Sequence, residues 1–220
     1  MTKRTHSSDV RQPDLCEEAD YRISKSLTMI SGLVRLRAYK GEVIDPRALL
    51  LEMADRIDTV AELHALLSRS EPGTIQLSKY LQQVCALSTK AMSPRRICLA
   101  VTCVPEHLVR FDLAMPLGLI AAELLSNSLK YAHPAGVPLK VEIVCRRPRA
   151  DRLHFTYQDD GVGFPESFDP RRDGGVGMKF IKSLSERLKG DYGWSSDSLG
   201  MGFSILAPTA GPGVSGNPRS

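Results

Sequence analysis

The chain is short of most features that would send it to a special class. It has no apolar run near the ~20 residues needed to cross a bilayer. Its first ten residues, MTKRTHSSDV, are polar and contain no signal-peptide core. These two absences exclude a membrane span and place the expected location in the cytoplasm. There are five cysteines, an odd number, and no CxxC pair. Together with that location, this points to small buried thiols rather than a disulfide framework or a metal cluster. Net charge is only +4, with acids and bases interspersed, which is too little to imply a nucleic-acid partner. Histidine is also scarce: of five, none lies between His6 and His64.

What is present reads as a soluble globular chain of 220 residues, 42% hydrophobic and 25% charged. Residues 1–13 read as a disordered arm, and 208–220, PTAGPGVSGNPRS, as a loose Gly/Pro/Ser-rich tail. The arm is too short for a sensor domain, so input is expected to come from a partner or to be absent.

Residues 14–72 carry two helical patterns. Ile23, Leu27, Ile30 and Val34 form one seam. Leu50, Met53, Ile57, Val60, His64 and Leu67 form the other. Gly41 can end the first helix, Asp45 can cap the second, and Pro46 suits its first turn. The result is an antiparallel hairpin with too little to bury alone. Pairing with a second copy as a four-helix bundle solves that. Ile23, Leu27, Ile30, Ile57 and Val60 are the expected dimer contacts.

Pro72 and Gly73 mark a boundary. From 73 to 207 helices and strands interleave without a strict βαβ rhythm. The expected class is α+β: one mixed sheet with helices on one face.

Four segments within this part carry chemistry. Glu123, Asn127 and Lys130 at i, i+4 and i+7 share one helix face. A carboxylate and a carboxamide suit a hard cation such as Mg²⁺, and a lysine suits phosphate. Taken alone, the stripe also fits a solvated surface helix. QDDGVGFP ends a strand at Asp159, able to accept from an exocyclic base amine, and turns on Gly161 and Gly163. RRDGGVGMKF puts Gly174, Gly175 and Gly177 at a helix start, where backbone N–H groups favour an anion. GMGFSILAP is a closing strand, which alone need be no more than core.

In this order and spacing the set resembles the ATP-binding domain shared by histidine kinases, Hsp90, gyrase B and MutL, the Bergerat fold. The resemblance implies that Asn127 holds Mg²⁺ and that Glu123 supports the metal or a catalytic water. Lys130 faces phosphate and Tyr131 lines the nucleotide. It further implies that Asp159 binds the adenine amine beside Gly161 and Gly163. Gly175 and Gly177 then flank the phosphates under a lid spanning Phe164 to Asp173. Arg171 and Arg172 in that lid either touch phosphate or are solvated.

The hairpin narrows the resemblance to the HisKA_2 type of sensor histidine kinase. That group's first helix reads like E-x-H-H-R-V-K-N-N-L-x-x-I-S-x-L-L-x-L-Q. Here Glu18, Arg22, Leu27, Ile30, Ser31, Leu33 and Leu36 fall in register with it. Leu63, His64, Leu66 and Leu67 match an L-H-x-L-L stretch of its second helix. Asp20 and Tyr21, however, occupy the two histidine positions, and the asparagine pair is missing as well. The chemistry needs a neutral imidazole nitrogen, so Asp20 marks the site of a missing acceptor. His64, on the apolar seam, reads as a packed core histidine. His107, His133 and His154 read as structural or surface groups, and nothing supports His6.

Three functions follow from the resemblance. One is a degenerate kinase that binds Mg-ATP and docks a response regulator or a partner kinase. Another is an active kinase using a different acceptor or acting in trans. The last is a non-catalytic switch whose partner affinity follows nucleotide state.

Overall fold

A computed structural model describes residues 15–38, 46–68, 74–91, 97–104, 107–133 and 137–209. His6, Gly41, Asp45, Pro72, Gly73, the N-terminal arm and the tail beyond Thr209 lie outside the described residues.

Two long helices come first, α1 (Leu15–Ala38) and α2 (Pro46–Ser68). They pair as expected, α2 through part of its expected seam but α1 through a different stripe. Among the described side chains of α1 the buried ones are Arg22, Ser26 and Met29, at i, i+4 and i+7. On α2 they are Val60, Leu63 and Leu67. Of the apolar seam of the sequence, Ile23, Leu27 and Val34 are 47%, 60% and 44% exposed, while Ile30 packs partly buried against the core. One helix thus carries two stripes, one turned inward and one outward. Val60, expected in the outward set, is 1% exposed inside the chain's own core.

A buried arginine needs partners. Arg22 donates from Nη1 to the Leu67 carbonyl at 2.8 Å and lies over the Phe111 ring, 5.5 Å from its centroid. His64 meets the same ring edge-on at 6.3 Å, and its Nε2 is buried without a hydrogen-bond partner. Burial, and then the Arg22 charge, lower the His64 pKa. A depressed histidine favours the fold while neutral. Its stabilisation is complete above the unfolded value of about 6.5 and is lost as pH falls through the lower folded value. Thermal melts between about pH 7.5 and about pH 5 should show that loss, and His64→Leu should flatten it. An unchanged slope in the variant would contradict the assignment.

The remaining chain forms a five-stranded sheet covered by helices. β1 (Ile75–Gln76) leads into α3 (Leu77–Ala91), β2 (Ile97–Cys103), β3 (Leu108–Val109) and α4 (Phe111–Tyr131). Then come β4 (Leu139–Arg149), β5 (Arg152–Asp159), α5 (Val176–Arg187), β6 (Asp191–Asp197) and β7 (Gly200–Pro208). The sheet order is β2-β4-β5-β7-β6, while β1 and β3 form a separate two-stranded ladder. β2 and β4 are parallel, as their connection through α4 requires, and the other neighbours in the large sheet are antiparallel.

Strand alternation decides what faces the helices. On β4 the buried row is Leu139, Val141, Ile143 and Cys145, and on β7 it is Met201, Phe203, Ile205 and Ala207. On β5 it is Leu153, Phe155, Tyr157 and then Asp159. The period of two therefore delivers a carboxylate to the end of an apolar row, beneath α4. Cys85 and Cys145 are buried thiols, but Cys98 is exposed on the edge strand β2. All four described cysteines are free.

Candidate nucleotide site

Asp159 is 4% exposed, so its carboxylate must be fully satisfied from within. Its Oδ1 accepts from the backbone N–H groups of Gly161 and Met201, both at 3.0 Å. Its Oδ2 accepts from the Ser128 hydroxyl at 2.5 Å. Ser128 in turn accepts from the Tyr157 hydroxyl at 2.8 Å. Burial pushes the Tyr157 hydroxyl pKa up, which keeps it a donor. The relay Tyr157–Ser128–Asp159 fixes both carboxylate oxygens and leaves Oδ2 a second lone pair for an incoming amine donor. Ser128 was not among the residues expected from sequence. A serine one step along from Asn127 gives no signal until the helix phase against the sheet is known.

The glycines around it permit close backbone approach. A Cβ on Gly161 would meet the Ala132 side chain at 2.6 Å. Gly163 has φ +70°, and its Cβ would run into the Asp197 carbonyl. Next door, Asp160 accepts from His133 and from the Lys140 backbone N–H, each at 2.9 Å. Burial works to raise the Asp160 pKa, but those two contacts outweigh it and hold the carboxyl below the usual range.

The opposite face of α4 carries the polar stripe. Glu123, Asn127 and Lys130 line one cavity of about 360 Å³, together with Phe180 of α5 and Arg56 and Thr59 of α2. Gly177, in the first turn of α5, passes so close to Glu123 Oε2 that a Cβ would overlap it. Gly175 caps α5 with no side-chain cap, so first-turn N–H groups are left for a ligand. Arg56 of the hairpin reaches this cavity and pairs with Glu123, Nη2 to Oε2 at 3.4 Å.

Among the described residues no group of three or more His, Cys, Asp or Glu could hold a metal ion alone. Mg²⁺ takes one or two protein ligands plus substrate phosphates rather than a dedicated protein cage. The carboxamide, carboxylate and lysine on one cavity wall fit such a shared site.

Other expected residues fall elsewhere. Tyr131 is 72% exposed at the last turn of α4. Arg171 faces β6: it donates to the Tyr192 carbonyl at 3.1 Å and stacks 5.4 Å over that ring. The lid itself is pinned to β6 by Phe164 N–H on Ser196 Oγ at 2.6 Å and by Phe164 against Trp194 at 5.9 Å. Asp20 is exposed on α1. Its neighbour Tyr21 donates to Asp112 Oδ1 at 2.5 Å, in the first turn of α4. At 1.5 Å per residue, Asp112 and Asn127 are about 22 Å apart along the helix axis. The structure therefore brings Glu123, Asn127 and Lys130 to one cavity and places Asp20 near the far end of α4.

Two family models match consecutive parts of the chain. "Histidine kinase", the HisKA_2 family, matches residues 18–92. "Histidine kinase-, DNA gyrase B-, and HSP90-like ATPase" matches residues 113–210. Over these two consecutive parts the chain is histidine-kinase-like. Among relatives, sensor histidine kinase PdtaS of Mycobacterium tuberculosis is 24% identical over 193 residues, which is 87% of this chain and 38% of that protein. Blue-light-activated histidine kinase 2 of Erythrobacter litoralis is 22% identical over 196 residues, 87% of this chain and 56% of that protein. The chain thus spans well under two thirds of these curated relatives. Among solved structures, the blue-light activated histidine kinase EL346 of Erythrobacter litoralis superposes with TM-score 0.75 at 19% identity, over 90% of this chain and 61% of that one. At that identity the likeness carries the histidine kinase fold. No described helix is long and apolar enough to cross a membrane.

Proposed function

We propose that the chain is a cytoplasmic, histidine-kinase-like two-component signalling protein that binds Mg-ATP and docks a response regulator or a partner kinase. The observation that carries this reading is Asp159, held by Ser128 and two backbone N–H groups beneath the helix whose other face presents Glu123, Asn127 and Lys130. In this reading Asp159 receives the adenine amine, and Gly161 and Gly163 admit the base. Asn127 and Glu123 hold the metal end, Lys130 faces phosphate, and the α5 start at Gly175 and Gly177 takes the remaining phosphate charge. When bound, Mg²⁺ neutralises charge on the β- and γ-phosphates.

The test of the missing acceptor is incubation with γ-labelled Mg-ATP. The protein should bind nucleotide and carry no acid-labile label. An acid-labile, alkali-stable label would show that a histidine elsewhere accepts the phosphoryl group, and would overturn the role given to Asp20.

The outward stripe of the hairpin fits a homodimer. Ile23, Leu27 and Ile57 are exposed in the single chain, whereas Ile30, also expected in the dimer contact, is partly buried against the chain's own core. Leu27→Asp should convert a sedimenting dimer to monomer without lowering ATP affinity. A wild-type protein that sediments as monomer would contradict the pairing.

A second reading is favoured by one contact. Arg56 of the hairpin pairs with Glu123 inside the nucleotide cavity. Nucleotide that engages Glu123 competes with Arg56, so ATP state can change how α2 sits on α4. That is the chemistry of a binding switch.

A further inference from the structure

A second cavity, of about 350 Å³, opens at the other end of α4, between α1, the first turn of α4 and the end of α5. Its charge is one-sided. Lys25, Arg110, Arg187 and Lys189 line it, against the single carboxylate of Asp112. Asp112 Oδ1 already takes the Tyr21 hydroxyl. Among the described residues none of the four cations has a carboxylate within ion-pair distance. Its floor is apolar: Met29, Phe111, Leu113 and Leu188 are all buried.

Ordinary helix chemistry accounts for only part of this. Arg187 sits in the last turn of α5, where a cation suits the helix dipole. Arg110 does not fit that rule. It is the N-cap of α4, offers no side-chain cap, and puts a positive charge at the positive end of the helix. Lys189 is also out of place. It adopts φ 52°, the left-handed conformation that usually falls to glycine after a helix, although Gly190 is the next residue. A strained backbone at Lys189 and four cations facing one engaged carboxylate thus meet at one cavity, where an anion would balance the charge.

We propose that this cavity binds a small organic anion, a phosphate monoester or carboxylate carried on an aromatic or aliphatic body. The four cations take the anionic head and the Tyr21 hydroxyl can donate to it. The apolar floor takes the body. Because Tyr21 and Lys25 belong to the hairpin and the other cations to the ATP-binding part, the ligand bridges the two. Occupancy competes with Asp112 for Tyr21, so it loosens the contact that holds α1 on α4. The site is separate from the nucleotide cavity and does not depend on ATP binding there.

The probe is phenyl phosphate, titrated calorimetrically, with inorganic phosphate as the comparison. Phenyl phosphate should bind with millimolar or better affinity, at least about tenfold tighter than inorganic phosphate. Arg110→Glu combined with Lys189→Glu should weaken it at least about tenfold while Mg-ATP affinity is kept. Lys189→Gly removes the charge and the strained backbone together. It should melt at a higher temperature yet bind phenyl phosphate several-fold more weakly. Asn127→Ala should leave phenyl phosphate binding unchanged. Equal affinity for the two phosphates, or insensitivity to both Lys189 variants, would overturn the proposal. So would loss of binding in Asn127→Ala, which would place the probe in the nucleotide site.

Discussion

Asn127→Ala is expected to lose Mg-dependent ATP affinity by at least about 100-fold, or about 2.8 kcal/mol. Asn127 lines the cavity with Glu123 and Lys130 rather than packing into the core. On the proposed reading, truncation therefore removes a metal ligand and leaves the fold intact. Among the described residues no protein cluster could hold the cation in its place. The remaining affinity should show no difference between Mg²⁺ and chelator. Calorimetric titration checks this, with a thermal melt as the folding control. Unchanged affinity in a folded variant would remove Asn127 from the metal.

Gly200→Ala is expected to cost about 3 kcal/mol, because it combines backbone strain with a steric clash. Gly200 has φ +141°, and its Cβ would sit on the Asp159 carbonyl oxygen. Escape moves the start of β7 and takes the Met201 N–H away from Asp159 Oδ1, where it now donates at 3.0 Å. One methyl group therefore strikes both the sheet and the Asp159 carboxylate. The melting temperature should fall by roughly 6–12 °C for a chain of this size. ATP affinity should also fall, even well below the melt. Gly193→Ala is the comparison. A Cβ there meets nothing within 4 Å, so the melt should shift little. Equal behaviour of the two variants would contradict the strain argument.

The expected α+β class held: a mixed sheet follows a helical hairpin. The closing strand GMGFSILAP was legible to the residue because a glycine and a proline bound its apolar run. β3 is only the two residues Leu108–Val109, paired with Ile75–Gln76 of β1. Two-residue ladders are too short for a period to show. In α1 the sequence displays its apolar stripe, but a stripe does not name what it packs on. Arg22 and Ser26 face the fold's own interior, while Ile23 and Leu27 face out. A buried arginine is invisible to hydrophobic periodicity because its burial depends on the Leu67 carbonyl and the Phe111 ring.

The candidate site divides along the same line. Glu123, Asn127 and Lys130 could be grouped because helical spacing is local, and the cavity brings all three together. Asp159 stood out by its place before two glycines. Ser128, Arg56 and Asp112 did not, since each acquires meaning from a partner distant in sequence. Tyr21 and Asp112 are 91 positions apart, and Ser128 and Asp159 are 31 apart. Tertiary pairs of that kind carry no local pattern.

The central claim is that this chain binds Mg-ATP on α4 through Asn127 and Asp159. The direct measurement is isothermal titration of the protein with ATP, once in Mg²⁺ and once in chelator. Saturable micromolar binding in Mg²⁺ that weakens sharply in chelator is the predicted result. No saturable binding in Mg²⁺ by a folded protein would contradict it.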